Sequence, residues 1–195
     1  MAAKRRSGLG VFFAGALALF LLILVIGAIV AFGGLYPVGA STPHSAPVSW
    51  LLNESREHSV KRAASGLTPP QFSAADIRAG AGHFKGMCQE CHGGPGAEPQ
   101  EFAAGMNPQP PNLAKAAGDL SVAEVFWIAK NGIKMTGMPS FAKTDPDDDL
   151  WKVAAFVKAM PKFSASDYAA VPNAHEEEEH MGHRHMTGDK GEDKD

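Results

Sequence analysis

Cysteine is almost absent from this chain: its 195 residues include two, Cys88 and Cys91, three positions apart. A small secreted fold stapled by disulfides needs more cysteines at wider spacing, so this pair is set for local chemistry. Strand signal is also missing. No stretch alternates apolar and polar residues over the length of a strand, which points to an all-α fold. Nor does one sign of charge dominate, because the net charge is −3. No segment combines dense Lys and Arg with interleaved aromatics, which excludes nucleic acid as a partner. The near-neutral total conceals three regions. Residues 1–70 carry Lys4, Arg5, Arg6, Arg56, Lys61 and Arg62 against Glu54 and Glu57. Residues 71–173 carry nine basic and eleven acidic side chains, and the tail from Ala174 carries three and eight.

What the chain does have is one long apolar run. Val11 to Phe32 contains no charged residue, and roughly 20 helical residues suffice to cross a bilayer core of about 30 Å. The run is apolar on every face, which a half-exposed core helix is not. Lys4, Arg5 and Arg6 precede it and no basic residue follows until Arg56. The positive-inside rule then keeps the N-terminus in the cytoplasm and exports the rest. Tyr36 sits where interfacial aromatics are found. A cleaved signal peptide is the rival, with Val38-Gly39-Ala40 as its small-residue site. Signal cores run to about 7–15 apolar residues, however, and this one is longer. The Arg5-Arg6 pair is not followed by residues that support twin-arginine export.

The expected organisation is a cytoplasmic N-terminus at 1–8, a transmembrane anchor at 9–36, a spacer at 37–70, a globular domain at 71–163 and an acidic His-rich tail at 164–195. Within the spacer, Gly39–Val48 is rich in Pro, Ser and Ala and reads as extended. Ser49–Ser65 has neither Pro nor Gly and reads as a short amphipathic helix, lying on the membrane or on the domain. Three main helices are expected in the domain. The first is capped by Ser73 and runs through Ile77, Phe84 and Met87 to Cys88. Gly80 and Gly82 weaken it by about 1 kcal/mol each relative to Ala, and small residues there signal close approach of another backbone. The second starts at Ser121, with Glu124 completing a capping box, and ends at Asn131 before Gly132. The third follows Asp147-Asp148-Asp149, where negative charge suits a helix N-terminus, and Pro161 stops it. Leu150, Val153, Ala154 and Val157 form its apolar stripe. Three short helices make a small core, and a large apolar cofactor at its centre would supply what is missing.

Cys88-Gln89-Glu90-Cys91-His92 is a C-x-x-C-H sequence of the kind that attaches haem c. Two thiols one helical turn apart can each bond a vinyl group on the porphyrin edge, and the next residue, His92, then offers its imidazole to the iron. A zinc half-site would require a second ligand pair, which the chain lacks. A thioredoxin-like pair would require a βαβ setting, and a chance pair would form a strained disulfide. Export favours haem, which is attached outside the cytoplasm.

With these residues in view, the chain resembles a class I c-type cytochrome of the membrane-anchored, single-haem bacterial type. The resemblance covers about residues 71–163. It rests on Cys88-x-x-Cys91-His92-Gly93-Gly94, Gly80 with Phe84, Gln109-Pro110-Pro111-Asn112-Leu113, Asn131 through Phe141, and Leu150-Trp151 through Met160-Pro161. It implies a class I fold of three main helices and long loops around one covalent haem c. The first and last helices would cross through Gly80, Phe84 and the face containing Phe156.

The remaining iron ligand is a thioether or an imidazole. Met138 lies in Thr136-Gly137-Met138-Pro139, where Pro139 biases Met138 toward an extended backbone and Gly137 lets the chain lie close to a haem face. The resemblance implies the same residue, since the family's ligand methionine occupies this position. Met135 and Met106 are rivals that equally suit core filling, and His83 or His44 would be imidazole alternatives. Pro110 or Pro111 is a candidate carbonyl for the other nitrogen of His92. Trp127 and Trp151 are within reach of a propionate role but need none as core residues. The tail holds four of the eight His, with Met181 and Met186. These donors suit copper, nickel or zinc, although a solvated tail has the same composition. The function expected is electron transfer in the periplasm between a respiratory donor and an oxidase or reductase, by a carrier rather than an enzyme. A haem-based sensor, or a metal-handling protein using the tail, is the alternative.

Overall fold

The computed structural model describes residues 8–116 and 118–174. The basic cluster Lys4–Arg6 and the His-rich stretch from His175 lie outside the described residues, and with them the expected tail metal. The chain divides into two compact units, Met1–Thr42 and Pro43–Asp195.

In the first unit, helix α1 runs over Gly8–Phe32 with no buried residue. Its 25 residues are long and apolar enough to cross a membrane. Gly34, with φ of +64°, follows its end.

The described residues of the second unit form helices joined by loops, with one isolated bridge between Gly94 and Ala97 and no strand. The unit comprises α2 (Ala46–Ala64), α3 (Ala74–Met87), α4 (Gln89–His92), a 3₁₀ turn at Glu101–Gly105, α5 (Leu113–Ala116), α6 (Val122–Asn131), α7 (Asp147–Ala159), a second 3₁₀ turn at Met160–Lys162, and α8 (Ala165–Ala169). The expected all-α architecture is therefore the one observed, with α3, α6 and α7 as its principal helices. Local chemistry sets their ends. Ser73 Oγ accepts from the Asp76 amide at 3.1 Å while Asp76 Oδ2 accepts from the Ser73 amide at 2.8 Å. Ser121 and Glu124 form the equivalent box at 3.2 and 2.7 Å. Three aspartates occupy the first turn of α7, and the Pro161-containing turn ends it.

Helices α3 and α7 cross at Gly80. A Cβ on Gly80 would overlap the Lys152 carbonyl oxygen, so only a hydrogen atom fits between the two backbones. Beside the crossing, Phe84 and Phe156 meet at 5.3 Å, ring centre to ring centre. Ala81, Val153, Val157 and Met160 belong to this main core as well. A second cluster joins α6 to α7 through Phe126, Ala129, Leu150 and Ala154, and Trp151 stacks flat on Phe126 at 3.7 Å. Trp151 is thus accounted for by packing. In an open helix Gly→Ala gains about 1 kcal/mol. Gly80→Ala is expected to lose about 1–3 kcal/mol or more, because overpacking forces the backbones apart. Gly105→Ala, at a site with open space around it, serves as the control. Denaturant unfolding of the two variants checks this, and equal stabilities would contradict it.

Three boundaries differ from the sequence reading. Helix α2 begins at Ala46 rather than near Ser49, since Pro47 falls in its first turn, where a missing N–H costs nothing. It packs on α6 and buries Val60 and Ala64 toward its C-terminal end, so the folded unit starts before residue 71. The tail expectation for 164–195 is also corrected over its first part. Ser164 Oγ accepts from the Asp167 amide at 3.0 Å and opens α8. Tyr168 and Val171 are both buried in the main core. Lys85 Nζ donates to the Ala169 and Val171 carbonyls at 3.1 and 2.9 Å. These contacts strap residues 164–174 across α3.

Candidate functional site

The end of α3 and the single turn of α4 bring the first three candidate residues together. The Cys88 amide closes α3 by donating to the Phe84 carbonyl at 2.9 Å. The Cys88 carbonyl then accepts from the Cys91 and His92 amides at 3.2 and 2.9 Å. Both thiols are therefore presented within one helical turn, with His92 directly after them. All three side chains are half-buried. The buried Tyr168 ring packs against Gly94 and its hydroxyl donates to Gln89 Oε1 at 2.8 Å. The turn is held by the C-terminal strap as well as by α3.

Burial pushes the Cys88 thiol up to about 12, with the charges of Asp145 and Cys91 adding to the shift. Burial, and then Glu90, raise Cys91 in the same direction. A redox dithiol works the other way, by depressing a thiol into the thiolate range. Cys88 and Cys91 are not joined to each other as a disulfide. Among the described residues, no three His, Cys, Asp or Glu converge as a metal-ion site would require. The geometry thus disfavours the zinc and thioredoxin-like readings on residues alone.

His92 Nδ1 lies 2.9 Å from the Pro111 carbonyl oxygen. A carbonyl can only accept, so Nδ1 carries a proton, and in the neutral ring Nε2 keeps its lone pair. Burial lowers the imidazole's pKa, with the Pro111 bond opposing that in part, which favours the neutral ring. Of the two candidate carbonyls, Pro111 is the one used. Asn112, the next residue, donates to Glu98 Oε2 at 3.1 Å, and Lys115 reaches Glu98 Oε1 at 3.3 Å. These contacts tie the Pro111 segment to the chain just beyond the C-x-x-C-H turn.

Met138 is held separately, on the loop between α6 and α7. Thr136 Oγ1 donates to the Ile133 carbonyl at 2.8 Å and accepts from the Met138 amide at 3.1 Å. The Ile133 amide donates to the Met138 carbonyl at 3.2 Å. Gly132 sits beneath with φ of +67°, and a Cβ there would meet the Pro139 and Met138 backbone at 2.7–2.8 Å. Gly132 is therefore both the cap of α6 and the floor of the loop. Met135 is 95% exposed with φ of +59°, so it faces solvent at the loop tip. Met138 and Met106 are half-buried, and the Met106 sulfur rests against Gly137. His44 lies in the segment before α2. His83 sits 3.6 Å from Asp149, away from the C-x-x-C-H turn along α3.

Residues 75–157, from α3 into α7, match the family model described as cytochrome C oxidase, cbb3-type, subunit III. The folded unit contains a c-type cytochrome domain. Comparison with curated proteins gives no match. As a c-type cytochrome domain it binds haem c and serves haem-based electron transfer. The donor set fits that group: two thiols one turn apart and an imidazole held through Nδ1. The cytochrome domain also draws on residues that sequence reasoning passed over, namely Tyr168, Gln89 and Thr136. Ser164-x-x-Asp167 repeats the capping pattern of Ser73-x-x-Asp76 just before Tyr168, and that pattern was a usable signal.

Proposed function

We propose that this cytochrome carries one haem, joined covalently to Cys88 and Cys91, with His92 and Met138 as its two iron ligands. It would pass electrons on the periplasmic side of the inner membrane, between a respiratory donor and an oxidase or reductase. The observation that carries this reading is geometric: the Pro111 carbonyl holds His92 Nδ1 at 2.9 Å, immediately after two thiols presented within one helical turn. The haem would supply a one-electron iron couple, its potential raised by a thioether ligand. Every other part belongs to the chain. Pro111 orients His92, the strap at Tyr168 holds the C-x-x-C-H turn, and Thr136 and Gly132 fix the loop that presents Met138. His92 and Met138 would both be given to the iron, leaving it no place for a substrate, which supports a carrier rather than an enzyme.

The family's description as an oxidase subunit supports an oxidase as the electron acceptor. The apolar α1, the preceding Lys4–Arg6 and the need to attach haem outside the cytoplasm support a retained anchor with the cytochrome domain exported. Protease added outside intact spheroplasts is then expected to release a soluble, haem-bearing fragment. A haem domain protected until the membrane is broken, or a mature chain beginning after Ala40, would overturn the topology.

A further inference from the structure

Helix α2 has an apolar end rather than an apolar face. Its first seven residues, Ala46–Leu52, are apolar except for Ser49, and Asn53–Arg62 are polar or charged except for Val60. Helix α2 packs on α6, and its two buried residues, Val60 and Ala64, both lie toward its C-terminal end. The apolar half carries Trp50, Leu51 and Leu52 at 64, 60 and 52% exposure. Successive helical residues are rotated by about 100°, so these three side chains fan over roughly 200°. A partner protein's groove covers one face of a helix and would leave part of this fan in water. A medium that surrounds the helix end covers all of it.

We propose that the N-terminal end of α2 inserts into the interfacial layer of the bilayer that anchors the protein. This rests on the reading of α1 as a retained anchor. Thirteen residues, Gly33–Ser45, join α1 to α2, and even fully extended they reach only about 45 Å. A link of this length holds the α2 end at high effective concentration beside the lipid surface. Tryptophan partitions to the headgroup level, where its ring is apolar and its N–H wet. Short apolar helix segments settle at the same depth. The charged half, from Glu54 to Arg62, stays outside against the cytochrome domain. The domain is thereby attached at two points, and its orientation over the membrane is restricted.

The test uses the full-length haem-loaded protein in phosphatidylcholine vesicles whose acyl chains carry bromine, a contact quencher of tryptophan. Subtracting the emission of Trp50→Phe isolates Trp50 from Trp127 and Trp151. The expected result is quenching of the Trp50 component, stronger with bromine near the headgroup than near the chain ends. Leu51→Ser with Leu52→Ser, both at exposed positions, is expected to reduce that quenching. Protein that floats with the vesicles while Trp50 emission ignores bromine overturns the docking alone and assigns this end of α2 to a protein partner. Protein that fails to float overturns the anchor reading and the docking with it.

Discussion

In the double variant Cys88→Ala, Cys91→Ala, no haem-stained band is expected on a denaturing gel, although the polypeptide itself is still detected by antibody. Each thiol would form one thioether bond, its sulfur adding to one vinyl carbon and a hydrogen to the other. Removing both thiols removes every covalent link while leaving His92 and Pro111 in place. Either single variant retains one thiol and is expected to give little haem-bearing protein. The substitutions are mild for the fold itself. Cys88 is half-buried and packs against the main core without being one of the core's buried side chains. Near-complete loss of stain thus reports attachment rather than collapse. Undiminished stain in the double variant would sink the assignment of Cys88 and Cys91.

Met138→Ala is expected to keep the haem but change its electronics. Loss of the thioether should lower the reduction potential by on the order of 0.1 V, within the roughly 0.8 V that axial ligands command. The weak sulfur-to-iron charge-transfer band at the red end of the oxidised spectrum should vanish, and the reduced protein should bind carbon monoxide. Met135→Ala, at a side chain 95% exposed, is expected to leave all three properties unchanged. Met106→Ala separates the remaining sulfur, which lies against Gly137. If the band survives in Met138→Ala and disappears in Met106→Ala or Met135→Ala, the ligand assignment is wrong. Ready carbon monoxide binding by the unsubstituted protein would instead favour a sensor with a labile sixth ligand.

The parts of this fold that were legible beforehand are those written in local patterns. The Ser121–Glu124 box, the aspartate run before α7, the apolar stripe from Leu150 to Val157 and the small residue at Gly80 each state their structural consequence within a few positions. The C-x-x-C-H spacing is local in the same sense. What stayed hidden depends on distant partners. Lys85 fastens the strap through carbonyls of Ala169 and Val171, and backbone acceptors leave no mark in a sequence pattern. Tyr168 is a lone aromatic in a short Ala- and Ser-rich stretch, so its burial against Phe156 follows only once α3 and α7 have crossed. Pro110 and Pro111 were equivalent until the fold placed one carbonyl on His92. Helix α2 misled because a count of apolar residues does not distinguish an apolar face from an apolar end.

The central claim is that one haem is covalently joined to this chain at Cys88 and Cys91, and the mass of the purified, denatured full-length protein tests it most directly. The expected result is the polypeptide plus a single haem, with neither cysteine open to a thiol-labelling reagent. A mass equal to the bare polypeptide, with the haem extracted into acidified organic solvent and both cysteines labelled, would contradict it.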